Sequence, residues 1–193
     1  FRRFFYDIST LRSDFVLETE SVLHMLYILG YTRHGKLDYG YGNKYPKKQI
    51  KQIVYFAGAS VKNKCWSGKN FTTLVDQLSD LYPDYQHVIL QGIREDENFL
   101  EIYDPLSAKD NVALQQTMSL NEVMQFLSNS HLLISNDTGI RNMAIAAHTP
   151  TVGIFLLIQP FKYWPREGGH DCVFDLESQP SVKDVYKSAI RMI

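Results

Sequence analysis

Residues 132–155, LLISNDTGIRNMAIAAHTPTVGIF, decide the fold of this chain. Two short apolar runs, at 132–135 and 151–155, have the length and composition of buried strands. Between them, residues 139–147 have the small and apolar composition of a helix, and a polar turn precedes it. A strand, a helix and a second strand in this order predict two parallel strands joined by a crossover helix.

The same alternation extends to both sides of this unit. Apolar runs separated by roughly ten helical residues predict a parallel sheet that helices cover on both faces. The fold class is therefore α/β, a Rossmann-like doubly wound parallel sheet, in which ligands bind beyond the carboxyl ends of the strands. The other predicted strands are 52–57, 86–91, 111–114 and 172–176, and the other predicted helices are 70–82, 95–103, 119–128 and 181 onward.

The first 50 residues do not follow this pattern. Residues 13–29 have helical apolar spacing with Gly30 as a C-cap, which predicts a helix docked against another surface. Residues 31–51 are rich in Gly, Tyr and Lys and are typical of a linker. We therefore predict a helix and linker over 1–50 and a Rossmann-like domain over 51–193.

Composition limits the ligand classes and the cellular setting. The 193 residues include 20 basic and 21 acidic side chains, so no overall field favours nucleic acid. Two cysteines without C-x-x-C spacing indicate neither a disulfide framework nor structural zinc, and the six histidines lack metal-ligand spacing. This use of cysteine fits a reducing, cytoplasmic setting. The apolar runs are too short to cross a bilayer. The start Phe-Arg-Arg lacks a methionine and a signal peptide, and a piece of a longer chain is expected.

Phosphate recognition must then be local, and the loop after the first strand of the domain is one candidate. Small residues there, Ser60 among them, allow the backbone to approach a ligand. Lys64 can place its ammonium group against a phosphate. Lys62 and Lys64 are also typical of solvated surface lysines, and that alternative stays open.

The loop after residues 132–135 is the second candidate. Asp137, Thr138 and Gly139 lead directly into a helix, whose first N–H groups and partial positive charge favour a diphosphate. Thr138 and Gly139 leave the approach open, and Asp137 can accept hydrogen bonds from sugar hydroxyls. An N-cap role for Asp137 or Thr138 without any ligand is an equal alternative.

A third loop, at residues 92–97, carries Glu95 and Glu97. A carboxylate in this place can hold ribose hydroxyls, although acidic residues in a first helical turn also complement the helix dipole. Neither a Walker pattern nor a G-x-G-x-x-G pattern follows a strand, which disfavours nucleotide triphosphatases and ordinary dehydrogenases.

Taken in order, these segments resemble the family 9 glycosyltransferases, which include the lipopolysaccharide heptosyltransferases. The order and spacing of the set, rather than any single motif, carry the resemblance across residues 52–165. Its motifs are Phe56-Ala57-Gly58-Ala59-Ser60, Lys64-Cys65-Trp66, residues 88–92, residues 118–123, Ser135-Asn136-Asp137-Thr138-Gly139, residues 144–147 and residues 150–155.

The resemblance implies the C-terminal, donor-binding half of a GT-B fold, with residues 1–50 as the tail of an acceptor domain. It implies an ADP-sugar donor, typically ADP-heptose, with no cofactor and no metal. The implied donor contacts are Lys64 and the Thr138 and Gly139 amides with the phosphates, Asp137 with the sugar, Glu95 or Glu97 with the ribose, and Met118 with the base, with Ser60 and Asn142 in the same site.

The resemblance also implies inverting, metal-independent transfer, in which a carboxylate deprotonates the acceptor hydroxyl. That base belongs to the other domain, so this chain alone is expected to bind donor without turnover. The implied acceptor is the lipopolysaccharide core or another surface glycan, at the inner face of the bacterial inner membrane. Lys44, Lys47, Lys48 and Lys51 could contact anionic lipid there, or form an ordinary solvated linker.

Asn142 departs from the family, which usually has a histidine at this position. Asparagine can donate hydrogen bonds but cannot carry a positive charge. Arg141 could supply the charge, although its side chain should leave the helix in a different direction. Ser67 stands where the family commonly has a proline. These departures keep two alternatives open: a UDP- or GDP-sugar donor, and a non-catalytic binding module with a decayed site.

Overall fold

The computed structural model describes residues 13–35, 37–41, 44–45, 50–157, 159–165 and 168–193. Its helices are α1 (Glu18–Ile28), α2 (Gly68–Leu81), α3 (Leu100–Tyr103), α4 (Leu120–Asn129), α5 (Gly139–Ala146) and α6 (Val182–Met192). Its strands are β1 (Gln52–Phe56), β2 (Gln86–Leu90), β3 (Val112–Gln115), β4 (Leu132–Asn136), β5 (Thr151–Phe155) and β6 (His170–Phe174). Short 3-10 turns lie at Lys62–Lys64, Glu95–Glu97, Asp104–Leu106 and Pro160–Lys162.

The six strands form one parallel sheet in the order β3-β2-β1-β4-β5-β6. The chain runs outward from β1 to β3, returns to the centre, and builds β4 to β6 on the other side. Strand order therefore reverses between β1 and β4. This arrangement confirms the predicted doubly wound parallel sheet.

Local sequence signals explain the agreement between the predicted and observed elements. Every residue of β1, β4 and β5 is buried, as expected for central strands of a parallel sheet. Helix α2 buries residues at three- and four-residue spacing toward the sheet: Phe71, Leu74, Val75 and Leu78. Four helices start at a side-chain oxygen that accepts a hydrogen bond from a first-turn N–H, and these caps are Ser67, Ser119, Thr138 and Ser181.

The prediction of one helix over 95–103 is wrong. The segment divides into the turn Glu95–Glu97 and the short helix α3, separated at Phe99, whose φ of 51° lies in the left-handed region. The Phe99 ring is buried and meets the Phe56 ring edge-on, with ring centroids 5.6 Å apart. Burial of this ring in the core favours the break over a continuous helix.

The predicted bounds of the last strand, 172–176, are also wrong, since β6 covers His170–Phe174. The Asp175 carboxylate accepts hydrogen bonds from the backbone N–H groups of Glu177 and Ser178. This arrangement turns the chain directly after Phe174. The strand therefore ends where an aspartate can replace the ladder hydrogen bonds with local ones.

Helix α1 begins at Glu18 rather than at residue 13. It ends at Ile28, and the predicted cap Gly30 follows two residues later with a φ of 88°. The N–H groups of Gly30 and Tyr31 bond to the carbonyls of Tyr27 and Leu26. None of its residues is fully buried. The helix contacts the sheet domain at its start, where Lys162 Nζ lies 3.7 Å from Glu18 Oε2 and where Glu20 lines a cavity together with Ile145 and Trp164. Its exposed apolar side chains are Val22, Met25, Leu26 and Ile28.

The predicted linker is held to the domain through Tyr45. The Tyr45 side chain packs with Met124 and Ala147, and its hydroxyl donates a hydrogen bond to Asn121 Oδ1 at 3.1 Å. The domain boundary between residues 50 and 51 stays a prediction. Two of the linker lysines singled out in the sequence, Lys47 and Lys48, lie outside the described residues. Within the described parts of the chain, every helix is too short or too polar to span a membrane.

Buried His87 predicts an acid-sensitive fold. Its Nδ1 accepts a hydrogen bond from the Tyr55 hydroxyl at 2.8 Å, and its Nε2 donates to the Tyr82 carbonyl at 3.2 Å. Burial lowers the pKa of His87, so the folded protein keeps it neutral where the unfolded chain, with a pKa of about 6.5, takes up a proton. The unfolded state binds more protons below about pH 6.5, and stability is therefore lost as the pH falls through that value.

We expect the free energy of unfolding in urea to decrease from pH 7.5 to pH 5.5, by at most about 1.4 kcal/mol per pH unit from this group. The double variant Tyr55→Phe, His87→Leu removes the titrating imidazole together with the Tyr55 hydroxyl that donates a hydrogen bond to it. This variant should show a weaker dependence of stability on pH. His24→Gln, at an exposed position of α1, is the control. Equal pH slopes in the wild type and the double variant would exclude His87 as the cause.

Candidate functional site

The two central loops of the sheet meet where strand order reverses. Strands β1 and β4 are neighbours, with Phe56 opposite Ser135 near their carboxyl ends. The loop after β1 and the turn before α5 therefore leave the sheet side by side. The sequence placed its phosphate-binding candidates on these two segments.

Asn136, the last residue of β4, ties the two segments together. The residue is fully buried, and its Oδ1 accepts a hydrogen bond from the Trp66 N–H at 3.0 Å. Its Nδ2 donates to the carbonyls of Ala57, at 2.6 Å, and Gly58, at 3.4 Å. Sequence reasoning missed this role, although an amide in the last position of a buried apolar strand was a visible signal.

Trp66 closes the loop on its other side. Its ring is 1% exposed and packs edge-on against Phe71, with centroids 5.1 Å apart. The indole Nε1 donates a hydrogen bond to the Pro180 carbonyl at 2.8 Å. These contacts give Trp66 a packing role, and they fix the end of the segment that carries Lys64.

Lys64 and Asp137 form an ion pair across the two segments, with 3.1 Å between Nζ and Oδ2. The Lys64 side chain is 25% exposed and that of Asp137 is 11% exposed. Lys64 is therefore not an ordinary solvated lysine. The structure brings together the residue predicted to bind phosphate and the residue predicted to bind sugar.

The start of α5 combines a structural cap with an open approach. The Thr138 hydroxyl accepts a hydrogen bond from the Ile140 N–H at 2.9 Å, which is the capping role expected from sequence. A methyl group placed at Gly139 would meet no atom within 4 Å. The cap and the open helix end coexist, because the cap uses one of several free N–H groups in the first turn.

A cavity of about 490 Å³ opens beside this helix end. Five predicted site residues line it: Ser60, Glu97, Met118, Thr138 and Gly139. Its apolar wall comes mainly from Phe56, Leu90, Val123, Ile140 and Met143, and its polar rim includes Gln91, Arg94 and Thr117. Arg94 and Thr117 were not predicted, because neither belongs to a motif. The volume lies in the range of about 300 to 1,000 Å³ that is usual for small-ligand sites.

The structure separates the two acidic candidates of the third loop. Glu97 is 8% exposed, lines the cavity and forms an ion pair with Arg94, with 3.3 Å between Oε1 and Nη2. Its carboxylate lies so close to Gly58 and Gly92 that a methyl group at either glycine would collide with it. Glu95 is exposed and does not line the cavity.

Asn142 also lies outside the cavity lining, with an exposed side chain on α5. Its backbone N–H bonds to the Thr138 carbonyl as part of the helix. Of the nine predicted site residues, five therefore line the cavity. Lys64 and Asp137 do not line it but pair with each other next to Thr138, and Glu95 and Asn142 are exposed outside it.

Known proteins share both the sequence pattern and the fold. The sequence model of Glycosyltransferase family 9 (heptosyltransferase) matches residues 35–188. Lipopolysaccharide heptosyltransferase 1 of Campylobacter coli is 26% identical over 110 residues, which cover 56% of this chain and 32% of that protein.

Two solved structures of the E. coli heptosyltransferase WaaC share the fold. The structure with ADP has a TM-score of 0.83 at 16% identity, covering 98% of this chain and 61% of that one. The structure with ADP-2-deoxy-2-fluoro heptose has a TM-score of 0.78 at 18% identity, covering 98% and 60%. The chain thus spans about three fifths of the length of these structures.

Removing the Asn136 amide should destabilise the junction between the loop after β1 and the turn before α5. Asn136→Ala leaves the Trp66 N–H and the Ala57 carbonyl buried without partners, and we expect a loss of about 2 to 4 kcal/mol in the free energy of unfolding. Asn136→Asp keeps the shape but replaces the N–H donor with an oxygen facing two carbonyls, so a loss of similar size is expected. Urea unfolding measures both variants, with Asn142→Ala on the exposed face of α5 as control. A loss below about 0.5 kcal/mol in both variants, the size typical of surface changes, would show that the amide is dispensable.

Proposed function

The chain belongs to glycosyltransferase family 9, the heptosyltransferase family, and we propose that its sheet domain binds the diphosphate of an ADP-sugar donor at the junction of β1 and β4. The observation that carries the proposal is the Lys64–Asp137 pair beside the open N-terminus of α5. A cation, a helix end and a hydrogen-bonding carboxylate at one place match the phosphate and hydroxyl groups of a nucleotide sugar.

Each side chain has a role that follows from its position. The Lys64 ammonium group and the N–H groups of Thr138 and Gly139 bind the phosphates. Asp137 accepts hydrogen bonds from the sugar hydroxyls. Glu97, which lines the cavity, is a better candidate for the ribose than exposed Glu95.

The apolar part of the cavity suits a nucleobase. Phe56, Leu90 and Met118 line this part. Met118 follows β3, which lies on the other side of β1 from β4 and the α5 helix that follows β4. Adenine is the base that we propose, because the solved WaaC structures contain ADP and an ADP-heptose analogue. Neither the base nor the sugar follows from the cavity shape alone, so direct binding has to distinguish them.

The reaction that we propose is inverting transfer without a metal. An acceptor hydroxyl attacks the anomeric carbon, its proton passes to a carboxylate, and the nucleoside diphosphate leaves. Lys64 and the α5 dipole stabilise the negative charge that develops on the leaving phosphate. The proposed acceptor is the lipopolysaccharide core or a related glycan. The general base is proposed to lie in a domain outside this chain.

Calorimetric titration of ADP, UDP and GDP tests the donor class. We expect ADP to bind most tightly of the three. Lys64→Ala should weaken ADP binding by roughly 1 to 3 kcal/mol because a charge-assisted contact is lost. Lys62→Ala is the matched control, since Lys62 is an exposed lysine in the same turn and should leave affinity unchanged. Preference for UDP or GDP would replace the proposed donor, and no binding by any nucleotide would favour a non-catalytic module.

The ribose contact has its own test in a matched pair of variants. Glu97→Gln should weaken ADP binding about 10- to 100-fold, because a hydrogen bond to a charged group is lost. Glu95→Gln should leave the ADP affinity unchanged. Repeating the titration with 2′-deoxy-ADP and 3′-deoxy-ADP separates the contact from a change in loop structure. If Glu97→Gln weakens ADP and both deoxy analogues equally, the residue supports the loop without touching the ribose.

A further inference from the structure

Arg141 is a fully buried cation in the first turn of α5. The residue is 0% exposed, and its guanidinium lies over the Phe155 ring, with 5.1 Å from Cζ to the ring centroid. Its Nη1 donates a hydrogen bond to the Tyr163 carbonyl at 2.7 Å. The side chain therefore leaves α5 toward β5 and the following loop, away from the cavity that Thr138 and Gly139 line.

This cation has fewer partners than its burial requires. Nε and Nη2 are buried without a hydrogen-bond partner among the described residues. A buried charge without full compensation destabilises a fold by several kcal/mol. Burial lowers the pKa of Arg141 to about 10, and the Asp137 carboxylate counteracts that shift, so the side chain stays charged at neutral pH.

The backbone of β5 is adapted to the guanidinium. Gly153 lies in the middle of β5, and any side chain at this position would collide with Arg141 Nε. The close approach of strand and guanidinium is therefore possible only with glycine. The position of the charge is fixed by Phe155, Gly153 and Tyr163 together.

Among the described residues, the charges around Asp137 are mainly positive. Within the part of the chain that the structure describes, Asp137 is the one carboxylate that acts on Arg141, and it is also the ion-pair partner of Lys64. The other titratable group acting on Arg141 is Cys172 of β6, whose pKa is raised to about 12 mainly by burial, so that its thiol is neutral. Two cations thus share one carboxylate beside a helix end that is itself partially positive.

We propose that Arg141 is a positioning residue for the donor diphosphate, acting through Asp137 and the first turn of α5 without touching the ligand. A buried charge acts over a longer range than an exposed one, because little water screens it. By attracting Asp137, Arg141 also leaves Lys64 free to turn toward a phosphate. This proposal rests on the proposed function, and it assigns the excess positive charge to a ligand with more than one negative charge.

The test compares ligands that differ only in phosphate number. Dissociation constants of ADP, AMP and adenosine are measured for the wild type, Arg141→Met and Arg141→Lys. We expect Arg141→Met to weaken ADP binding about tenfold, equal to about 1.4 kcal/mol. AMP binding should weaken less, and adenosine binding should not change. Arg141→Lys keeps the charge and should recover most of the loss. If Arg141→Met does not fold, Arg141→Gln, which retains an N–H donor for the Tyr163 carbonyl, replaces it.

A stability-matched control separates the electrostatic role from a packing role. Ile145→Ala removes a buried side chain from the same helix outside the cavity lining, so it should lower stability without changing the ratio of ADP to adenosine affinity. Equal weakening of ADP and adenosine in Arg141→Met, or unchanged ADP binding, overturns the role of Arg141 and leaves the proposed function standing. A wild type that binds none of the three ligands overturns both.

Discussion

The carboxamide of Asn136 is the interaction on which the site depends. At the end of β1 and β4 the two strands stop pairing, and the backbone groups of the following residues lose their ladder partners. One amide supplies an acceptor for the Trp66 N–H and donors for the Ala57 and Gly58 carbonyls. Neither a carboxylate nor an apolar side chain offers both functions. The 3.1 Å approach of Lys64 to Asp137 follows from this link, since the two residues lie on the segments that it joins.

The fold and much of the site could be predicted because their signals are local. Continuous apolar runs indicated β1, β4 and β5, and the polar turn with a possible cap at Asp137 or Thr138 indicated the start of α5. Strand alternation then put Lys64 and Asp137 at one edge of the sheet, where the structure pairs them. The family resemblance added an order of motifs that the family match over residues 35–188 confirms.

What sequence reasoning missed depends on contacts between distant residues. The break at Phe99 depends on the contact of its ring with Phe56. Glu97 rather than Glu95 lines the cavity because two glycines make room for its carboxylate. Arg141 is an intermediate case. It precedes buried Ala144 and Ile145 by three and four residues, a spacing that puts all three on the inner face of α5. The helical pattern could predict that the side chain is buried, but not what it meets there.

In the proposed function, the charges around Asp137 explain how the site stays folded and still favours an anion. A protein that binds a diphosphate without a metal must supply the positive charge from its own side chains, and buried cations repel one another in the absence of ligand. Asp137 lessens that repulsion by pairing with Lys64 and by attracting Arg141. A bound diphosphate would take over this role, which releases Asp137 for sugar hydroxyls. In the proposed function the carboxylate therefore has two roles: it stabilises the neighbouring cations, and it contacts the sugar of a bound donor.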